Sequence, residues 1–221
     1  MPGFLRKPHI TDYYLMHMMK MFLFDFDGVI ADSLNFYENL VKRCLEQTGA
    51  TVIKTREEYL DLFDGNFYDS LRERGVDTTV FNNVAMTISP QMDYSSIVPF
   101  NDLLPVIREL ARDNTLLVVS SNTSPPIKAF FSRYEYDGIF DDILGADFML
   151  SKRKKIDHAL GKWQVPRERT YYVGDTAGDI REGKEAGIKT VAATWGWHSR
   201  ERLEKVNPDY IIETPGDLLR I

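Results

Sequence analysis

The 221-residue chain has very little cysteine, no long apolar run and no surplus of basic residues. Its single cysteine, Cys44, cannot form an intrachain disulfide, which fits a reducing compartment. No stretch approaches the roughly 18 apolar residues of a membrane span. The 27 basic and 33 acidic residues give a formal net charge of −6, whereas nucleic-acid binders usually carry a basic surplus. We therefore expect a cytoplasmic protein that binds neither membranes nor nucleic acid.

The first 19 residues do not have the pattern of a signal peptide. Asp12 and His17 interrupt any apolar segment that could follow the basic residues near the start. This segment is either an N-terminal extension of the first domain or the product of an upstream start codon. In the second case Met19 or Met21 would be the true first residue.

From residue 99 onward, short apolar runs alternate with amphipathic segments. Continuous apolar runs predict buried strands, and these lie at 115–120, 169–175 and 189–194, with a weaker candidate at 209–213. The spacing of apolar residues predicts helices between them, around 103–111, 127–134 and 179–186. This βαβα order is typical of an α/β fold with a Rossmann-like parallel sheet covered by helices on both faces.

Residues 33–97 have a different pattern, with several helical stripes and no strand signal of similar strength. The first stripe runs from Ser33 to Gly49, and Thr55 with Glu58 forms a capping-box pattern ahead of the second. Further stripes follow at 67–71 and 80–88. We therefore divide the chain into a core of residues 1–32 and 98–221 and a helical insertion, residues 33–97.

Acidic and hydroxyl side chains follow the predicted strands where the strands end. Asp25 and Asp27 follow the apolar run MFLF, Ser120 ends the run TLLVV, and Asp175 and Asp179 follow RTYYVG. The carboxyl ends of parallel strands share one edge of the sheet, where ligands of open α/β sheets bind. We therefore expect these five side chains to converge. Turn formation and helix capping by the aspartates are the simpler alternatives, but they do not explain acidic residues at separate strand ends.

Several carboxylates in one crevice predict a bound cation, because they cannot all ionise together without one. A ligand set of few oxygens favours Mg²⁺, which commonly shares its coordination shell with a phosphate. One carboxylate could then attack phosphorus, and a second, two residues along, could protonate the leaving oxygen. The pattern thus predicts phosphoryl-transfer chemistry on a small molecule.

Four motifs, in order, resemble those of the haloacid dehalogenase superfamily, phosphatase branch, across residues 20–221. They are FDFDGVIADS, LLVVSSNTS, SKRKKIDHAL and VGDTAGDIREGKEAG. The tail that follows resembles phosphoglycolate-phosphatase-like members. The helical insert directly after the first motif resembles the one found in the subgroup with a type 1 helical cap. The resemblance therefore implies a helical cap at residues 33–97.

The resemblance also implies a role for each motif residue. It implies that Asp25 is the nucleophile, that Asp27 is the acid/base, and that Lys152, with Lys155 as second choice, is the motif lysine. The implied phosphate-binding residues are Ser120, Ser121, Asn122 and Lys152, and the implied Mg²⁺ ligands are Asp25, Asp27, Asp175 and Asp179. Of the basic run 152–155, we expect one lysine to turn inward and the rest to be a solvated face.

The resemblance implies Mg²⁺-dependent hydrolysis of a small phosphate monoester through an aspartyl-phosphate. A β-phosphoglucomutase-like sugar-phosphate mutase is the first alternative, although such mutases favour Glu where this chain has Gly174. A catalytically idle binding module of the same fold is the second. The sequence leaves the ester and the oligomeric state open.

Two further groups of residues have open interpretations. Trp195, Trp197 and His198 form a loop that either packs in the core or contacts the active site. In the helical insertion, the segment 63–70 could reach the substrate, with Asn66, Phe67 and Tyr68 as the expected contacts.

Overall fold

A computed structural model describes residues 19–221, and a parallel six-stranded sheet forms its centre. The expectations about the N-terminal segment lie outside the described residues. The sheet order is β5-β4-β1-β6-β7-β8, with every neighbouring pair parallel, and β2 and β3 form a separate antiparallel pair. The strands are β1 (Met21–Phe24), β2 (Ala31–Asp32), β3 (Val98–Pro99), β4 (Thr115–Val119), β5 (Asp142–Leu144), β6 (Thr170–Gly174), β7 (Lys189–Ala193) and β8 (Tyr210–Ile212).

Nine α-helices lie within residues 19–221, and none of them is long and apolar enough to cross a membrane. They are α1 (Leu34–Thr48), α2 (Arg56–Leu60), α3 (Phe67–Glu73), α4 (Thr78–Ile88), α5 (Leu103–Leu110), α6 (Ser124–Arg133), α7 (Lys152–Trp163), α8 (Ala177–Glu185) and α9 (Arg200–Glu204). Short 3₁₀ turns connect several of them.

The central strands are the continuous apolar runs of the sequence. Every residue of β1, β4 and β6 is buried, as expected for parallel strands covered on both faces. Side chains on one face of the sheet pack against aromatic residues, and Phe22 stacks on Tyr171 with ring centroids 5.1 Å apart. The predicted α/β, Rossmann-like core is therefore confirmed.

The segment after β2 is helical, as predicted. Helix α1 begins after Ser33 and ends at Gly49, whose φ of 74° lies in the left-handed region that glycine adopts at low cost. The capping box of Thr55 and Glu58 is present at the start of α2. The chain leaves and re-enters the core side by side, because β2 pairs with β3.

Besides the two-residue strands β2 and β3, three elements of the core were not predicted from the sequence. Strand β5 has only three residues, and two of them are half-buried, so its apolar signal is weak. Helix α7 begins after Ser151, whose hydroxyl accepts a hydrogen bond from the Lys154 amide, and its first turn is almost entirely basic. Helix α9 has five residues, too few to show a periodic apolar stripe.

Candidate active site

The first motif places two aspartates at the carboxyl end of β1. Asp25 follows the last strand residue, and its Oδ1 accepts a 2.7 Å hydrogen bond from the Phe26 amide. Gly28 has a φ of 81°, and a Cβ at this position would overlap the carboxylate of Asp175. Glycine therefore lets the turn after β1 approach the acidic residue at the end of β6.

Two more aspartates lie where β6 ends and α8 begins. The Oδ2 atom of Asp175 accepts a 2.7 Å hydrogen bond from the Trp197 amide. Its Oδ1 is buried and has no hydrogen-bond partner among the described residues. Thr176 caps α8, and Asp179 completes a capping box with it. The spacing of this motif thus places both carboxylates beside the end of β1.

Helix α7 directs two lysines into the core. The Lys152 Nζ donates hydrogen bonds of 2.6 Å to Asp25 Oδ2 and 2.6 Å to Asp179 Oδ1. Lys155 is also buried, and its Nζ donates a 2.5 Å hydrogen bond to the carbonyl oxygen of Ser120. The expectation of a single inward lysine is therefore wrong. Residues i and i+3 share one face of a helix, so α7 buries both.

Three carboxylates and one ammonium group dominate the electrostatics of this cluster. Asp25, Asp175 and Asp179 each offer an oxygen within 4.8 Å of the others, and all three are buried. Burial, opposed by Lys152, raises the pKa of Asp25 to about 6. Burial and then the neighbouring carboxylates raise the pKa of Asp175 well above its usual value.

The remaining carboxylate of the cluster is the one that Lys152 neutralises. Burial raises the pKa of Asp179, but Lys152 and Thr176 outweigh it, and the net shift is downward. Burial lowers the pKa of Lys152, but Asp179 and Asp25 raise it well above its usual value. The Lys152–Asp179 pair is therefore ionic, and the cost of ionising the whole cluster appears in the raised pKa values of Asp25 and Asp175.

Asp27 lies beside this cluster rather than in it. The Ser33 hydroxyl donates a 2.8 Å hydrogen bond to its Oδ1. Burial, and then the charge of Asp25, raise the pKa of Asp27 to about 7. A carboxyl group with this pKa can hold a proton or release it near neutral pH, as a general acid and base must.

The second motif lies at the end of β4 on the other side of β1. The Ser120 hydroxyl is buried and accepts a 3.0 Å hydrogen bond from the Asn122 amide. Ser121 and Asn122 line the same cavity as Asp25 and Asp27, and the Asn122 side chain donates to the Tyr37 hydroxyl. The structure thus places all the predicted site residues at one edge of the sheet, while their chemical roles stay predictions.

A cavity of about 1110 Å³ separates this edge of the sheet from the helices of residues 33–97. Phe67 and Tyr68 line it, as expected. Asn66 was expected to do the same, but this prediction is wrong. Its side chain accepts hydrogen bonds from two amides at the start of α3, and it faces Glu182 on α8. Asparagine is a favoured N-cap residue, so the signal for this structural role was present in the sequence.

Sequence reasoning missed several neutral side chains that hold the cluster. The Tyr172 hydroxyl donates a 3.0 Å hydrogen bond to Asp179 Oδ1, although this tyrosine lies within an apolar run. The Nδ1 of His198 accepts a hydrogen bond from the Ala177 amide, so its Nε2 carries the proton and donates to the Leu60 carbonyl oxygen. Burial lowers the pKa of His198 and keeps it neutral.

Trp197 belongs both to the core and to the site. Its ring packs edge-on against Phe63 at 4.8 Å and beside Tyr59 at 5.9 Å, and it lines the cavity. Its amide also binds Asp175. Trp197 therefore both packs in the core and contacts the site, so the two interpretations of this loop are compatible.

Known proteins share both the sequence pattern and the fold. The family model described as "Haloacid dehalogenase-like hydrolase" matches residues 22–193. A phosphoglycolate phosphatase from Synechococcus elongatus is 27% identical over 207 residues, covering 91% of this chain and 96% of that protein. The pyrophosphatase PpaX of Bacillus mycoides is 23% identical over 207 residues, covering 90% of this chain and 94% of that protein.

A solved structure has the same architecture. A haloacid dehalogenase-like family hydrolase from Streptococcus pneumoniae superimposes with a TM-score of 0.76 at 20% identity, covering 91% of this chain and 97% of that chain. At this identity the likeness establishes the fold alone.

Proposed function

Because the chain belongs to the haloacid dehalogenase-like hydrolases and is a phosphatase of that family, we propose that it hydrolyses a small phosphate monoester through an aspartyl-phosphate on Asp25. The observation that carries this proposal is the contact of Asp25 with Lys152 beside Asp27 and the oxygen cluster. A carboxylate held at 2.6 Å from an ammonium group, at the end of a strand and facing a cavity, can attack a phosphorus atom placed there.

The two aspartates of the first motif divide the chemistry between them. Asp25 attacks phosphorus, and the bond between phosphorus and the ester oxygen breaks. Asp27 gives its proton to the departing alkoxide, which leaves as the alcohol, and then takes a proton from the water that hydrolyses the phospho-aspartate. The pKa of Asp27, raised by burial and Asp25 to about 7, suits both steps.

Four further residues are suited to hold the transferring phosphoryl group. The Lys152 ammonium group can turn from Asp25 to a phosphoryl oxygen while it stays paired with Asp179. The Ser120 side chain and the polar groups of Ser121 and Asn122 are placed to donate to the other oxygens.

The donor set fits Mg²⁺. It consists of carboxylate oxygens within 4.8 Å of one another, and Asp175 Oδ1 has no hydrogen-bond partner among the described residues. In this proposal Asp25, Asp175 and the backbone carbonyl of Asp27 hold the ion, and Asp179 orients its waters or Lys152. When bound, Mg²⁺ would neutralise negative charge on the site and the phosphate.

We also propose that residues 33–97 act as a cap that moves relative to the core. The paired segments β2 and β3 are its natural hinges, because the chain crosses between the two parts only there. The cap then opens to admit the ester and closes to exclude water during transfer.

The experiment that tests this function measures phosphate release from a panel of small phosphomonoesters with Mg²⁺, with EDTA and with Asp25→Asn. We expect metal-dependent release that Asp25→Asn abolishes. Brief quenching in acid should leave a phosphoryl group on wild type and none on the variant. Asp113→Asn, at an exposed turn, is the matched control and should keep full activity. Release that persists in Asp25→Asn, or isomerisation of a sugar phosphate without release, would contradict the proposal.

A further inference from the structure

We propose that the ester carries an uncharged aromatic ring on its leaving alcohol, rather than the small acidic groups of phosphoglycolate or pyrophosphate. This inference rests on the proposed phosphatase function and names its substrate class. It follows from the size of the cavity, its charges and its aromatic walls.

The cavity is too large for a two-carbon acid. Its volume of about 1110 Å³ lies just above the range of about 300–1,000 Å³ that holds drug-sized ligands. A phosphoryl group occupies only the end beside Asp25 and Lys152. The rest of the cavity extends under α4 and towards α6, and a glycolate group would leave it filled with water.

The walls of the cavity lack the charge that an acidic leaving group needs. None of the described residues from 33–97 that line it is charged. On the core side, Asp147 adds further negative charge. Lys152 is already paired with two carboxylates, and Arg133 is an exposed residue at the end of α6. Burying a second anion without a cationic partner is costly, so a carboxylate or a second phosphate is disfavoured here.

The walls are instead rich in aromatic rings, most of them on the cap side. Phe63 stacks on Phe67 with centroids 5.3 Å apart and meets Trp197 edge-on. Aromatic pairs in such arrangements contribute about 0.5–1.5 kcal/mol beyond their area burial. A flat ring on the substrate can extend this set of contacts. The aromatic residues that line the cavity are Phe26, Tyr37, Tyr59, Phe63, Phe67, Tyr68, Phe81, Tyr94, Phe130, Tyr134 and Trp197.

The first test compares esters whose leaving groups are all primary alcohols, so that intrinsic reactivity is similar. The probes are benzyl phosphate, 1-naphthylmethyl phosphate, a purine nucleoside 5′-monophosphate and 2-phosphoglycolate, with pyrophosphate added. We expect kcat/KM for the best aromatic ester to exceed that for 2-phosphoglycolate by at least about tenfold. A higher kcat/KM for 2-phosphoglycolate or pyrophosphate overturns the inference and leaves the phosphatase function intact. No turnover of any ester, with no phosphorylation of Asp25, overturns both.

The second test changes the charge of the cavity wall. Met86 on α4 is 68% exposed and lines the cavity, so replacing it should not disturb folding. Met86→Lys should raise kcat/KM for 2-phosphoglycolate several-fold and lower it for the aromatic ester. The matched control Val80→Lys adds a lysine to an exposed position of the same helix outside the cavity, and it should change neither. An unchanged ratio in Met86→Lys overturns the inference.

The third test removes one aromatic wall. Phe67→Ala should raise KM for the aromatic esters by about tenfold and leave KM for 2-phosphoglycolate unchanged. Phe148→Ala is the matched control, because Phe148 is exposed and packs on His158 outside the cavity. An equal rise in KM for the aromatic and the acidic esters would indicate a merely structural role for Phe67 and overturn the inference.

Discussion

At the residue scale, the site is defined by an imbalance of charge. Asp25, Asp175 and Asp179 lie together, and Lys152 forms ion pairs with only Asp25 and Asp179. Such a cluster is stable only if one carboxyl group stays protonated or a cation is bound. The cost of burying a carboxylate is greatest at Asp175, whose buried Oδ1 has no hydrogen-bond partner among the described residues.

Asp175→Asn should abolish the stabilisation of the protein by Mg²⁺ without destabilising the fold. The substitution removes a buried charge, so the melting temperature of the metal-free variant should be at least that of the wild type. Mg²⁺ should raise the melting temperature of the wild type and of the Asp113→Asn control but not of Asp175→Asn. Thermal unfolding with EDTA and with Mg²⁺ measures this, and an equal Mg²⁺ shift in all three proteins would contradict a site that includes Asp175.

The lowered pKa of Lys155 predicts that the stability of the protein depends on pH. Burial, and then the charge of Lys152, lower the pKa of Lys155 from 10.5 to about 8. Between these values the unfolded chain binds more protons than the folded one, so the contribution of Lys155 to stability rises with pH. The free-energy advantage of the wild type over Lys155→Met should therefore be greater near pH 9.5 than near pH 7.5, by up to about 1.4 kcal/mol per pH unit.

Denaturant unfolding of both proteins at the two pH values measures the effect. The comparison with Lys155→Met cancels the contributions of other titrating groups. An advantage that is the same at both pH values would show that Lys155 keeps an ordinary pKa.

At the element scale, helix α8 contacts the cap through a glycine. A Cβ on Gly178 would lie 2.5 Å from the carbonyl oxygen of Gly65 and 2.8 Å from that of Phe63. The first turn of α8, which presents Asp179, therefore packs directly against the backbone of the cap. The same helix joins the site to the loop that precedes α3.

Gly178→Ala should push this cap loop away from α8. In the proposed mechanism a closed cap completes the site, so we expect kcat/KM to fall by about tenfold. Gly161→Ala in α7 is the matched control, since an added Cβ there meets nothing. It should keep full activity and stabilise the protein by roughly 0.5–1 kcal/mol. Steady-state kinetics and thermal unfolding of both variants check this, and full activity of Gly178→Ala would contradict the packing.

At the scale of the whole molecule, an ionic contact holds the cap against the core. Arg202 on α9 binds Glu57, Asp61 and Asp64 of the cap, at 3.1, 2.7 and 2.9 Å. The Arg202 side chain is 17% exposed, so solvent screens it less than an ordinary surface ion pair. Loss of these pairs should favour an open cap.

Arg202→Met should expose the ring of Trp197, which packs against the cap. We expect stronger quenching of tryptophan fluorescence by acrylamide, and a loss of about 1 kcal/mol in stability. Arg200→Met is the control, because Arg200 lies on the same helix but pairs with Glu204 and Glu213. In a Trp197→Phe background the extra quenching should disappear. Equal quenching of Arg202→Met and Arg200→Met would mean that Arg202 does not hold the cap.

The core strands and the edge of the sheet that carries the site were predictable from local patterns. Continuous apolar runs define β1, β4 and β6 because parallel strands are buried on both faces. Asp25, Ser120 and Asp175 follow these runs directly, so their convergence needs only the rule that parallel carboxyl ends share one edge. The helices of residues 33–97 were equally accessible, since capping residues and apolar periodicity are local signals.

Only the tertiary structure decided the contacts between segments that are distant in sequence. The composition of the run 152–155 does not show that two lysines are buried, because that depends on which face of α7 meets β4 and the aspartates. The role of Tyr172 and the link from His198 to Leu60 have no local pattern for the same reason. The sequence by itself determined the fold and the meeting of the motif residues at one edge of the sheet, because strand burial and chain order are local or topological properties. The charge balance of the site and the aromatic, uncharged wall that residues 33–97 give the cavity depend on packing across the chain, which only the tertiary structure decides.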